Sequence, residues 1–139
     1  MYIGETILSL SPDILDLLKN VSLFSGLSNE VLTRHLDHSN RITLTAGKTL
    51  LTPGDAYDNV YVVLSGRLRV SPDSSNNDPI AIVGAGEAVG ETSILNANKA
   101  LDYLIAETDC ELLCINLATI WSLLNGSHHA AINMLNILS

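Results

Sequence analysis

Positive charge is scarce in this sequence. Seven lysines and arginines stand against fifteen aspartates and glutamates, for a formal net charge of −8 at pH 7. Nucleic acids and anionic lipid surfaces are both gripped through a positive field, so neither a direct nucleic-acid partner nor a membrane partner is expected. Cysteine is equally sparse, with Cys110 and Cys114 the only two. Within a strand their spacing puts both on one face, about 13 Å apart, too far for a disulfide. They read as two small core residues in a reducing cytoplasm. Met1 leads into neither a basic segment nor a long apolar run, so no signal peptide and no membrane-spanning helix is expected. A cytoplasmic location follows.

Catalytic signatures are absent too. There is no P-loop, no G-x-S-x-G elbow and no H-E-x-x-H. Gly84 and Gly86 have G-x-G spacing after a strand, but no third glycine falls in place and no βαβ unit follows. His35, His38, His128 and His129 all lie in helical zones, which argues against a cupin-type metal site on strands. No metal, cofactor or catalytic residue is assigned.

What is present is an apolar chain, 47% hydrophobic and 16% charged, of 139 residues. That is enough to bury one core without metal or disulfide staples. Three zones follow in order. Up to about Ser39 the pattern is helical: Ser11-Pro12-Asp13 is a capped start, with Ile14, Leu17 and Leu18 as its apolar face. Ser28-Asn29-Glu30 opens a second helix carrying Val31, Leu32 and Leu36. From Arg41 to Asn116 short β-rich runs recur at 42–45, 49–52, 60–65, 68–71, 80–83, 103–106 and 110–116. Glycine turns and the polar loop Asp73 to Asp78 separate them. From Leu117 the chain is helical again, with Ile120, Leu123 and Leu124 packing inward. Gly126-Ser127 breaks that helix before a last one carrying Ala131, Ile132, Met134, Leu135 and Leu138. Its apolar pattern stops at Ser139 without a cap, as a helix cut short or completed elsewhere would. The pattern predicts a mainly β fold with flanking α-helices, an antiparallel jelly roll. Residues 1–20 are expected as an N-terminal helical segment and 21–139 as the roll domain.

Five stretches in sequence order carry a resemblance: Leu23-Phe24-Ser25-Gly26-Leu27, Ala46-Gly47-Lys48-Thr49-Leu50, Pro53-Gly54-Asp55, Val60 to Val70, and Val83 to Leu95. Together they resemble the cyclic-nucleotide-binding domains of catabolite activator proteins, cyclic-nucleotide-dependent kinases and related sensors. The resemblance covers about residues 20 to 138 and implies a double-stranded β-helix. It implies that Gly90, Glu91, Thr92 and Ser93 form a phosphate cradle, after Val89, with Glu91 accepting from a ribose hydroxyl. The residues themselves leave a second reading open, in which Gly90 allows close packing and Glu91 favours a helix start. The family's phosphate-gripping arginine aligns with Ala100 or Leu101, neither of which can donate. No arginine follows Arg69, and Lys99 is the only later lysine. Lys99 could substitute as a point charge without the planar fork of arginine, or be a solvated loop residue. Val89, Gly90, Glu91, Thr92, Ser93, Lys99, Ala100 and Leu101 are the pocket candidates.

The resemblance implies a non-catalytic sensory or regulatory input module of a larger signalling protein, with weak or no cAMP or cGMP binding and a small-molecule ligand of unknown identity. A homodimer through the last helix is expected, with Ala131, Ile132, Leu135 and Leu138 as the seam or the link to an output domain. The run Ala100 to Ala106, with Tyr103 inside it, is similar to the N-terminal sensors of bacterial diguanylate cyclases. The alternatives are a dimerisation scaffold with no ligand and a fragment of a cyclic-nucleotide-responsive transcription regulator.

Overall fold

The Ser11 hydroxyl accepts a hydrogen bond from the Ile14 backbone N–H and Pro12 occupies the first turn, so helix α1 runs Pro12–Leu18. Ser28 caps helix α2, Asn29–Leu36, in the same way through the Val31 N–H. A 3-10 turn at Ser22–Phe24 joins them. These elements belong to a computed structural model that describes residues 3–7, 10–74, 78–96 and 99–139. Residues 75–77 of the expected polar loop lie outside that set.

The first zone is not helical throughout. Ile3–Ile7 is a strand, β1, paired antiparallel with β2 (Asn40–Leu44), Ile7 opposite Asn40. Its three β-branched residues in five favour extended backbone, and a partner strand more than thirty residues away fixes it. The remaining strands are β3 (Thr49–Leu51), β4 (Asn59–Ser65), β5 (Leu68–Ser71), β6 (Ala81–Val83), β7 (Ala88–Val89), β8 (Tyr103–Ala106) and β9 (Cys110–Asn116). β7, two residues long, carries too little pattern to be read from sequence; the others fall within a residue or two of expectation.

Two antiparallel sheets result, ordered β1-β2-β9-β4-β7 and β3-β8-β5-β6. This is the mainly β roll with flanking helices that the strand spacing predicts. Between the sheets lies an inner core of residues such as Leu44, Leu68, Leu104 and Leu112. On the other face of the five-stranded sheet, Val62, Leu113 and Ile115 pack against the helical layer through Leu18, Phe24, Leu32 and Leu36. Asn116 caps helix α4 (Leu117–Gly126), accepting from the Thr119 N–H at 2.8 Å. Ser127 caps α5 (His128–Leu138) through the Ala130 N–H.

In α1 the buried residues are Leu15 and Leu18, with Ile14 and Leu17 only partly covered. His38 falls beyond the end of α2, so it does not share a helix face with His35. No described helix is long and apolar enough to cross a membrane. Cys110 and Cys114 sit on the inner-core side of β9, as their spacing predicts.

Leu112 and Leu113 are neighbours on β9, fully buried on opposite faces. Leu112→Ala and Leu113→Ala are each expected to cost about 2–5 kcal/mol, the usual range for emptying a packed leucine site. Urea unfolding measures both, and a loss under about 1 kcal/mol at either would show that one face of β9 is not packed as described.

Candidate ligand-binding site

A cavity of about 430 Å³ opens at one end of the inner core. Its apolar wall is Val70, Val89 and Leu104, of which Val70 and Leu104 are register partners on β5 and β8. Tyr57 adds an aromatic wall, and Leu101, 88% exposed, stands at the rim. Thr92, Ser93, Lys99 and Asp102 supply its polar groups.

The loops bearing these groups are held by the backbone. Asp55 Oδ2 accepts from the Thr52 N–H at 2.9 Å and from its hydroxyl at 3.1 Å, closing the turn at Pro53-Gly54. That turn clasps the segment beneath it: the Gly54 N–H donates to Ala100 O and the Ala100 N–H to Asp55 O, each at 2.8 Å. Ala56 bridges Lys99. Gly90 has φ +96, and a Cβ there would lie 2.8 Å from Asn59 O and 3.0 Å from Tyr57 Cδ1. Only glycine lets the backbone pass that closely. After it, the Ser93 N–H bonds Gly90 O and starts the single-turn helix α3, Ser93–Asn96.

The sequence-predicted residues separate into groups. Val89, Thr92, Ser93, Lys99 and Leu101 line the cavity. Gly90 backs it, pressed against Tyr57. Ala100 is buried in the inner core rather than turned to the cavity. Glu91 is not among the lining residues. It borders a separate recess of about 210 Å³ with Asn20, Ser22 and Glu87, on the helical side. Burial there pushes its carboxyl pKa up from the ordinary value. The last arginine, Arg69, is buried in β5 with its Nε–H donated to Ser71 Oγ at 3.0 Å, and it does not line the cavity.

Tyr57, Val70 and Leu104 are the wall residues that sequence reasoning missed. Their contribution depends on cross-strand register, which a single chain pattern does not display; only Tyr57, just after the Pro53-Gly54-Asp55 turn, carried a local signal. On α5, Ala130 and Met134 are buried, Ala131 is half-buried, and Ile132, Leu135 and Leu138 face outward, Leu135 at 66% exposure.

Residues 41–127 match the family model of the cyclic nucleotide-binding domain. The chain belongs to that family. The cyclic AMP receptor protein of Thermus thermophilus is 30% identical over 100 residues, which are 70% of this chain and 46% of that protein. The N-terminal domain of a transcriptional regulator from Streptomyces coelicolor A3(2) shares 28% identity with a TM-score of 0.74, covering 88% of this chain and 89% of that one. A lysophospholipase NTE1 from Lodderomyces elongisporus is 36% identical over 97 residues, 64% of this chain but 7% of the enzyme. The chain thus spans less than half the length of these curated relatives.

For this cyclic nucleotide-binding domain, Glu91 gives a pH test. Its carboxyl ionises near 4.5 when unperturbed and holds its proton to higher pH in the fold. The folded state therefore binds more protons between those two values. The group's contribution is complete below about 4.5 and lost as pH rises through the folded value. Glu91→Gln is expected to raise Tm at pH 7 and leave it unchanged near pH 4. Thermal melts across that range check it, and an equal shift at both pH values would contradict the buried assignment.

Proposed function

We propose that this chain is a non-catalytic regulatory input module whose roll cavity does not hold cAMP or cGMP at ordinary cellular concentrations. The observation that carries this reading is the charge of the cavity. Among the described lining residues its one cation, Lys99, is offset by one anion, Asp102, and no arginine is there. Losing one buried charge-assisted phosphate partner costs about 2–5 kcal/mol, which at about 1.4 kcal/mol per decade is roughly thirty- to several-thousand-fold in affinity. Glu91, turned toward the helical layer, supports the same conclusion, because the ribose contact that the resemblance implies is not offered to the cavity. The phosphate-binding segment is read as degenerate.

Signalling output is assigned to another part of a longer protein, which the partial coverage of the relatives supports. Names such as cyclic AMP receptor protein and transcriptional regulator favour a transcriptional output. The run Ala100 to Ala106, which ends in β8, favours a diguanylate cyclase instead. Two thiols on one strand and a net charge of −8 fit a cytoplasmic protein without nucleic-acid or membrane contacts of its own. The outward Ile132, Leu135 and Leu138 support a homodimer through α5, or the link to the output domain.

Isothermal titration with cAMP up to millimolar concentration tests the main reading, with no saturable heat expected; a micromolar Kd overturns it. Leu101→Arg places a guanidinium at the rim and is expected to tighten cAMP binding at least about tenfold. For the dimer, Leu135→Glu is expected to shift sedimentation toward the monomer and to remove the dependence of Tm on protein concentration that a dimer contact produces by mass action.

A further inference from the structure

The charge pattern of the roll cavity describes a ligand as well as excluding one. Lys99 and Asp102 lie three residues apart and both line the cavity, yet neither side chain has a hydrogen-bond or ion-pair partner among the described residues. The backbone is tied at Lys99 and Ala100. Lys99 bridges Ala56, Ala100 is clasped from both sides, and Asp102 directly precedes β8. The two opposite charges thus line the same space as Val70, Val89 and Leu104, with no ion pair formed between them. Asp102 is close enough to bear on the cavity wall: after burial, its negative charge is the second cause raising the Tyr57 phenol pKa.

A monoanion, such as a cyclic nucleotide, satisfies Lys99 and sets its charge against Asp102. A cation does the reverse. An uncharged molecule leaves both charges with water only. We infer that the cavity is built for a small zwitterion with an apolar body, its ammonium facing Asp102 and its carboxylate facing Lys99, as in a free apolar amino acid. The hydroxyls of Thr92 and Ser93 complete the polar side and the apolar wall takes the side chain. The volume of about 430 Å³ falls within the range of small-molecule sites. This assignment rests on the reading that the cavity no longer takes a cyclic nucleotide.

The test uses the full chain and four probes: L-phenylalanine, N-acetyl-L-phenylalanine without the ammonium, L-phenylalaninamide without the carboxylate, and cAMP. Each is titrated by thermal shift and calorimetry against the wild type, Asp102→Asn and Lys99→Met. The wild type should bind L-phenylalanine at least about tenfold more tightly than either analogue, one decade being the loss of one modest charge contact. Asp102→Asn should reverse the order in favour of the N-acetyl compound, and Lys99→Met in favour of the amide. Because the analogues act on the unaltered protein, the result stands even if a variant folds poorly. Equal responses to the three amino-acid probes overturn the zwitterion assignment, as does no response to any of them. In both cases, silence toward cAMP leaves the loss of cyclic-nucleotide binding intact. Micromolar cAMP binding instead overturns that underlying reading, and the zwitterion with it.

Discussion

Two neighbouring strands carry both cores of this protein. On β4, Val60 and Val62 point to the helical layer while Tyr61 and Val63 point between the sheets. On β9, Leu113 and Ile115 join the first set and Cys110 and Leu112 the second. The register pairs like with like, Val62 opposite Leu113 and Val63 opposite Leu112. Side chains alternate along a strand with a period of two, so a slip of one residue would exchange the faces and unpack both cores together. That constraint fixes the sheet, and the sheet fixes what lies on each side of it.

The segment from Gly86 to Ile94 follows from the same strand. Its start is tied to β4 by the Gly86 N–H donating to Val63 O and the Val63 N–H donating to Glu87 O, each at 2.9 Å. From there it runs along the boundary between the two sides. Val89, Thr92 and Ser93 face the cavity; Glu91 borders the helical recess, and Ile94 is buried in the helical core. Ala130 and Met134 of α5 sit in that core too. Asn133 adds two hydrogen bonds, from Nδ2 to the carbonyls of Leu23 and Ser25 at 2.9 and 2.8 Å. Cavity and last helix are therefore joined through continuous packing, with Ser93 and Ile94 as adjacent residues on its two sides.

Much of the roll was legible in the chain because its signals are local. Serine caps at Ser11 and Ser28, glycine turns, and apolar alternation from Ile42 to Ile115 each act over a few residues. What escaped needs a distant partner. β1 exists through β2, and Tyr57, Val70 and Leu104 meet only when β5 and β8 pair and the Pro53-Gly54 turn folds over Ala100. The orientation of Glu91 is of the same kind: its neighbours Asn20 and Ser22 come from seventy residues earlier. Pattern alone could name Glu91 a candidate, but which side of the sheet it served depended on packing.

The charges at the cavity are placed where they cost the fold little. An arginine buried in an empty cavity would carry a desolvation cost with nothing to offset it. Here position 100 is an alanine packed in the inner core, and position 101 a leucine that reaches solvent. Lys99 is exposed and Asp102 half-buried, so water screens both. The packing lies in β4, β9 and the two cores rather than in the cavity. A ligand can shift such a structure only by as much as it prefers one arrangement over another. The packed step from Ser93 to Ile94 joins the two sides, since one residue lines the cavity and the next lies in the core that seats α5.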